Sequence, residues 1–566
     1  GTFVAKDSKI ILDGNDGLNP ATNSYFRILT SNNYTDHLNI TILDPGSFLY
    51  GTEQSMNQTL NGTLTFGGGD DTGASTGFTL GIGPGNGFGL LILDSLIIQG
   101  GYASQNRQVS SSSNFVGCKN IWIKPGSEFK GGLAITHDFR NDGLYTGRLN
   151  RNLSFCGSMN IGQHYPNTTT TQRMYGTGLV RSLDTAPIPS SPADNQINML
   201  RVDNTYDGLS LEMPLGVLNT IRLMHGVITT SDTTLLTLGD SISIGYLSTD
   251  PSNTQWFAAD TFIGNMTAWD GGTIEGPFRR WFTGNTTDEQ SVFPLGKGTT
   301  KRTTGIHFLN TTPGYLTGTF KAMQPGINGL PLTNEQNTNI GFVSPSGYWN
   351  FESAGTSGTY AIDVRANGFT TDGVIPISSL PSVRLIKRPT NGSWQLSGST
   401  TTAGPLSLNQ VTSAGLNSFS DFGIGLNCGN VVTTGSDNIV GSLRYVLANC
   451  ISSGDTVKFD TSLSLLIVTT DTIILDKNVT IYATSDDNIN IEGSGVHSIM
   501  KIQTGKTVKL QNLELTTGIA MDGKAIYNKG NLTINHITIH DIGTGNSTIL
   551  NKGSLIVIGS NSVLKE

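Results

Sequence analysis

The chain has 566 residues, a formal net charge of −8 and 13% charged residues, against roughly 25% in an ordinary soluble domain. Without a block of Lys and Arg, that balance excludes a nucleic-acid partner, because phosphate binding needs clustered cations. No apolar run reaches the roughly 18–20 residues of a membrane helix; 71 glycines, abundant Thr, Ser and Asn, and 36% hydrophobic residues rich in β-branched types describe short strands joined by tight turns.

No secretory signal opens the chain and Gly1 is not an initiator Met, so the sequence reads as a mature form or a segment of a longer protein. Over residues 1–195, alternating strands are separated by Gly-rich segments such as FGGGDDTGASTGFTLGIGPGNGFG. NITILDPGSFLYG, from Asn39, and NIWIKPGSEFKGG, from Asn120, share one idiom: a short alternating strand, a Pro-Gly-Ser turn and an inward aromatic, Phe48 or Phe129. This predicts a β-solenoid-like region with loop insertions. GFGLLILDSLIIQGG is broken by Asp94 and reads as two strands. Residues 196–310 continue the short-strand pattern, as in VLNTIRLMHGVITTSDTTLLTLGD, Val217 to Asp240.

From 311 to 426 the strands lengthen and aromatics become denser: GYWNFES, TYAIDVRANG, SVRLIKRPTNGSWQLSG, FSDFGIG. Turn signals between them predict a β-sandwich with Trp349 and Trp394 in its core. Residues 427–566 predict a parallel β-helix. It opens on the one helix candidate, VGSLRYVLANCISSGD, where Leu443, Val446, Leu447 and Cys450 lie at helical spacing and Gly454 supplies a stop.

The repeat is clearest beyond that helix. In KTVKLQNLELTTG, Val508, Leu510, Leu513 and Leu515 are apolar; in LTINHITI, Leu532, Ile534, Ile537 and Ile539 stand at the same places 24 residues on. NKG at 528–530 returns at 551–553. Such periods are the signature of a stacked solenoid. The polar pair at 511–512 breaks the alternation, so Leu513 can face inward again only if the chain turns a corner there; Asn512 and Asn535 flank that corner and could satisfy backbone groups. About six coils at about 4.8 Å each would make a rod of about 30 Å. The whole is expected to be all-β, with right-handed parallel β-helix segments and an intervening β-sandwich.

Four passages resemble the large cell-surface adhesins of Bacteroidota exported by the type IX secretion system, including those of gliding motility. They are LNTIRLMHGVITTSDTTLLTLGD; GGTIEGPFRRWF followed by SVFPLGKG; YWNF through GSWQLSG to SFSDFGIG; and Cys428 through GSLRYVLANCISSGDTVKFD. Together they span roughly 217 to 566, and the first 200 residues match only in style. The family's C-terminal sorting domain is not visible after Glu566. The resemblance implies an extracellular, cell-surface adhesive segment. Its partners would be surface glycans or other cell-surface components and outer-membrane secretion or anchoring machinery; self-association is a further expectation.

Cys118, Cys156, Cys428 and Cys450 form no CxxC pair, which argues against zinc. Two disulfides between sequence neighbours, Cys118–Cys156 and Cys428–Cys450, fit the even count; four buried free thiols are the alternative. Closing the second loop would stabilise by roughly 3 kcal/mol, and disulfides would place the protein outside the cytoplasm. LGKGTTKR at 295–302 lacks the spacing and following helix of a phosphate loop and reads as a turn. Likewise, Pro84 interrupts GIGPGNGFG, which no helix follows. His536 and His540 are expected on an outer coil surface rather than around a metal.

Polysaccharide lyases and hydrolases also use such folds, and they need converging carboxylates. The outward positions of the C-terminal coils carry no acidic ladder, so no enzyme and no cofactor are expected. Asp70–Asp71 and Asp486–Asp487 are candidates for structural calcium, whereas DGNDG at 13–17 fails EF-hand spacing. Trp256 and Trp269 are candidates for a sugar-stacking platform. Thr185, in Asp184-Thr185-Ala186, is a candidate O-glycan acceptor, and Asn57, Asn61, Asn285 and Asn310 open Asn-x-Ser/Thr triplets.

Overall fold

The structure is a computed structural model. It describes residues 8–12, 25–26, 38–42, 48–50, 58–60, 62–67, 78–81, 90–99, 107–111, 116–147, 153–156, 170–182, 189–249, 269–284, 289–334, 339–365, 370–371, 375–376, 383–401, 410–427, 429–439, 441–460, 466–484, 489–493, 497–516, 525–540, 548–559 and 563–565. These residues are nearly all β. Helix among them is confined to a 3₁₀ turn, Pro192–Asp194, and to Leu443–Tyr445 running into a π turn, Val446–Cys450. The chain divides into two compact units: Gly1–Ala322 with Trp349–Arg365 and Ala403–Ser420, and Met323–Tyr348 with Ala366–Thr402 and Asp421–Glu566.

In the first unit, parallel strands stack in columns. One column runs through Ser8–Leu12, Leu38–Ile42, Leu64–Phe66, Leu90–Ile98, Val116–Ile123, Asp138–Asn141, Gln172–Tyr175, Gln196–Leu211, Leu215–Thr229 and Thr273–Glu275. Its inward side chains sit directly on one another: Leu64, Leu96, Ile121, Phe139, Met174 and Leu211, all buried. A second column carries Ile92, Cys118, Ile135, Phe155, Val202 and Leu223, also buried. A third sheet includes Phe48–Tyr50 and Ser127–Lys130, with Phe129 buried; Pro45–Ser47 lie outside the described residues. Each buried Leu, Ile or Phe contributes roughly 1.5–3 kcal/mol. Within GFGLLILDSLIIQGG, Leu90–Ile98 is one strand, not two, and its halves serve different columns; the ladder to Val116–Ile123 shifts register at Leu93 and Asp94.

This packing overturns the first disulfide. Cys118 and Cys156 are free and buried. Cys118 pairs with Ile135 and Ile135 with Phe155, so Cys156 stands two rungs away and one residue further along its strand. Two rungs are about 10 Å, beyond the roughly 7 Å between Cα atoms that a disulfide tolerates. Burial pushes both thiols up, Cys156 to about 11. Cys450 is disulfide-bonded; with the other two free, Cys428 is the remaining cysteine in the sequence, and it lies outside the described residues.

GPFRRWF ends the parallel column. Phe278–Phe282 pairs in parallel with Leu236–Leu238 on one edge and antiparallel with Gly314–Lys321 on the other. Arg280 is fully buried and donates to the carbonyls of Val292 (2.9 Å) and Gly245 (3.1 Å); Arg279, one residue earlier, lies on the Tyr315 ring at 4.0 Å. A separate antiparallel sheet joins Glu289–Phe293, Thr304–Thr311, Gly358–Arg365 and Gln410–Leu416. Aromatic packing includes Phe308 against Phe282 at 4.9 Å and Tyr360 stacked on Phe419 at 4.3 Å. Trp349 is buried in this unit, and Trp394 in the other, in a cluster with Ile340, Val343 and Ile386.

The second unit builds three parallel columns of its own. Six strands form the first: Val431–Val432, Thr456–Phe459, Val479–Tyr482, Thr507–Thr516, Asn531–His540 and Ser554–Ile558. The 24-residue repeat is realised literally. Val508 pairs with Leu532, Leu510 with Ile534, Leu513 with Ile537 and Leu515 with Ile539, all buried.

Between the two halves the chain turns through a left-handed residue in the last three coils: Asn512 (φ 56°), His536 (φ 52°) and Gly559 (φ 95°). Asn and His tolerate this region better than most residues. The corner residues are thus Asn512 and His536; Asn535 stands opposite Gln511 instead. Asn512 Nδ2 donates to the Ala483 carbonyl at 2.9 Å, while the Asn535 Oδ1 is buried without a partner. The NKG repeat marks another corner. The Asn528 amide donates to Asn551 Oδ1 (2.7 Å) and the Ser554 carbonyl (2.8 Å), and its Oδ1 accepts from the Gly530 amide at 2.9 Å.

The helix is capped by Ser442, whose hydroxyl accepts from the Tyr445 amide at 3.1 Å. Arg444 reaches out of it to Asp437, with bonds of 2.9 and 2.8 Å, and Thr470 adds amide and hydroxyl donors at 2.7 and 2.8 Å. Burial alone would raise the Asp437 carboxyl, but these donors outweigh it and hold it at about 2. A carboxylate with a depressed folded pKa stabilises above its unfolded value and loses that contribution as pH falls through the folded one. Acid titration of the second unit should therefore show a loss of stability between about pH 4 and pH 2. Asp437→Asn should remove that step, which far-UV circular dichroism melts across the range would detect.

Candidate functional site

A cleft opens in the first unit where two long strands part. Gln196–Leu211 and Leu215–Thr229 lose register between Asp203 and Gly208. There the buried Asn204 folds the chain into a local turn: its Oδ1 accepts from the amides of Tyr206 (3.1 Å) and Asp207 (3.3 Å), and its Nδ2 donates to the Gly208 carbonyl at 3.2 Å. The turn leaves Tyr206 55% exposed. On the next rung, Gly226 is left-handed (φ 88°), and a Cβ there would lie 2.5 Å from the Asn204 carbonyl. On the rung after that, a Cβ on Gly272 would lie 2.2 Å from the Gly226 carbonyl. Close backbone approach at glycines leaves a cleft of ≈ 340 Å³ whose walls include Tyr206, Asp207, His225, Asp270, Thr299 and Lys301.

The polar groups are held in place. His225 Nδ1 lies 2.7 Å from Asp203 Oδ1, and Arg201 donates to Asp203 Oδ2 at 3.0 Å. Burial would raise the Asp203 carboxyl, but the bonds from His225 and Arg201 prevail and hold it below the usual range. Thr171 donates its hydroxyl to Asp207, and Lys301 donates to the Asp270 carbonyl. Burial and the neighbouring Arg365 charge lower the Lys301 ammonium. The LGKGTTKR segment is a tight hairpin, Gly296–Lys297 against Thr300–Lys301, whose Gly298 amide donates to Glu275 at 2.8 Å. A ring face, carboxylates, an imidazole and an ammonium around one concavity can hydrogen-bond and stack on a polyhydroxylated ligand.

Trp269 is not an exposed platform. It is fully buried, donating Nε1–H to the Gly272 carbonyl at 2.9 Å, and a Cβ on Gly271 would meet its ring at 2.8 Å. Its large apolar ring is better satisfied beneath the cleft floor, which it props, than in water. Trp256, Thr185, Cys428, Asp70–Asp71, Asp486–Asp487, Asn57, Asn61 and Asn285 lie outside the described residues. Asn310 is described and exposed. His536 is exposed and His540 pairs with Glu514. Among the described residues no group of three or more His, Cys, Asp and Glu could hold a metal ion, and no helix is long and apolar enough to cross a membrane.

Sequence reasoning missed Tyr206, Asp207 and His225. The available signal was DNTYDG at 203–208, a polar interruption with turn chemistry inside an otherwise apolar strand. Compared with family models, curated proteins and solved structures, the chain matches none.

Proposed function

We propose that the chain is a structural and adhesive segment of a secreted cell-surface protein, built from right-handed parallel β-helix segments with an intervening β-sandwich. The observation that carries this reading is the rung-on-rung stacking of buried apolar residues, from Leu64 to Leu211 in one unit and from Val508 to Ile539 in the other. Such a column lengthens by about 4.8 Å per coil with local contacts alone. It serves reach and presentation of surface. The sparse charge and the disulfide at Cys450 agree with an extracellular setting, and the cleft beside Tyr206 is a place where a surface glycan is gripped.

A second reading, a carbohydrate-active enzyme of lyase or hydrolase type, draws support from Asp207, Asp270, His225 and Lys301 lining that same cleft. One experiment separates the two. The intact chain is presented with a polysaccharide panel while binding and the release of new sugar ends are both followed. Adhesion predicts retention without cleavage, weakened by Tyr206→Ala. Cleavage that disappears in Asp207→Asn would instead establish the enzyme.

A further inference from the structure

We infer that the third column of the second unit carries a binding surface for an acidic polysaccharide, centred on Tyr527. The inference deepens the adhesive reading and rests on it for the biological setting. In this column Ile473–Leu475, Met500–Ile502, Ile526–Asn528 and Ile549–Asn551 stack in parallel. Their middle residues fall in register as Ile474, Lys501, Tyr527 and Leu550. In the inner strands the flanking residues are buried, so these middle positions face outward.

Three ammonium groups gather on the one ring. Lys501 Nζ stands 5.6 Å from the Tyr527 centroid, Lys529 Nζ 5.1 Å and Lys552 Nζ 5.6 Å. Lys529 and Lys552 come from the two NKG corners, so their spacing follows the coil repeat of about 4.8 Å. Among the described residues, none of the three has a carboxylate within ion-pair distance. Two other aromatic–cation groups in the protein differ on this point. Arg140 over Trp122 is neutralised by Asp142, and Arg173 over Tyr175 by Glu212. At Tyr527 three ammonium groups share one ring without such a carboxylate among the described residues, in a chain whose net charge is −8.

Like charges held together cost free energy unless an anion shares them. A row of cations at coil spacing fits a linear anion with repeated charge. The Tyr527 ring, with exposed Ile474 beside Lys501, offers the C–H face of a sugar its stacking surface. Uronate or sulfate groups on a glycan supply both features. A nucleic acid is the poorer fit, since proteins that hold one make roughly 6–10 phosphate contacts.

The test uses the intact chain with four probes: alginate, heparin, neutral dextran and single-stranded DNA. Alginate or heparin should bind, more weakly as salt rises. The triple variant Lys501→Gln/Lys529→Gln/Lys552→Gln should bind about tenfold more weakly, the sum of three ordinary exposed ion pairs. Tyr527→Ala should also weaken binding while Tyr527→Phe retains it, with unchanged thermal melts showing that each variant folds. Failure of both acidic glycans, or equal binding by the triple variant, overturns the inference. So does DNA bound as tightly as the glycans and lost in the same variant. Dextran binding alone would overturn it while leaving the adhesive reading intact.

Discussion

Truncating Leu510 to alanine is expected to destabilise the second unit by about 2–5 kcal/mol, the range for deleting a buried leucine side chain in a core that relaxes only partly. Leu510 is fully buried between Ile481 on one rung and Ile534 on the next. Neither neighbour can move inward to fill the void without leaving its own ladder. Lys509, one residue away, points outward opposite Thr533, so Lys509→Ala should change stability by under about 0.5 kcal/mol. Urea titration of the two variants decides the matter: equal midpoints would mean that Leu510 does not sit in a core column.

A second large effect is expected at Arg388 and Asp421, a cross-strand pair in the second unit. The guanidinium Nε donates to Asp421 Oδ2 at 3.0 Å, and the two side chains are 7% and 2% exposed. Arg388 also donates to the Pro325 carbonyl and lies over Trp394 (4.4 Å) and Tyr348 (5.1 Å). Asp421→Asn keeps the shape and removes the compensating charge, stranding a buried cation. Breaking such a pair costs about 3–5 kcal/mol. The expected fall in melting temperature is roughly 6–20 °C, at about 2–4 °C per kcal/mol for a unit of this size. The double variant Asp421→Leu/Arg388→Met should recover most of the loss, because replacing a whole buried pair by apolar side chains is often neutral. A calorimetric scan showing no shift for Asp421→Asn would mean that the pair is solvated.

The 24-residue period was legible because inward aliphatics must recur wherever a coil meets its neighbour: Leu510 and Ile534 had to share a face. The helix at Leu443 was legible through the helical spacing of Leu443, Val446, Leu447 and Cys450. The corner was legible as a break in alternation, but its left-handed residue was not. Asn512 announces itself; His536 shows its role only through φ. Pairing Cys118 with Cys156 failed because sequence proximity says nothing of rungs, and the two lie in the same sheet two strands apart. Trp269 was misplaced because a loop-rich neighbourhood suggested exposure, whereas the ring tucks under Gly271 and Gly272 of its own segment. The cleft was illegible for a related reason. DNTYDG marks the turn at Tyr206, but His225 and Lys301 reach the cleft from other segments, which the local pattern does not encode.

Disulfide trapping across the C-terminal coils addresses the stacking most directly. Lys509 stands opposite Thr533, and Thr533 opposite Ile556, on adjacent parallel strands. Neighbouring rungs lie within the Cα separation a disulfide accepts, and alternate rungs do not. Oxidation followed by peptide mapping should therefore link Lys509→Cys to Thr533→Cys, and Thr533→Cys to Ile556→Cys, while Lys509→Cys with Ile556→Cys stays reduced. A link between residues 509 and 556, or none between 509 and 533, would contradict the coil register.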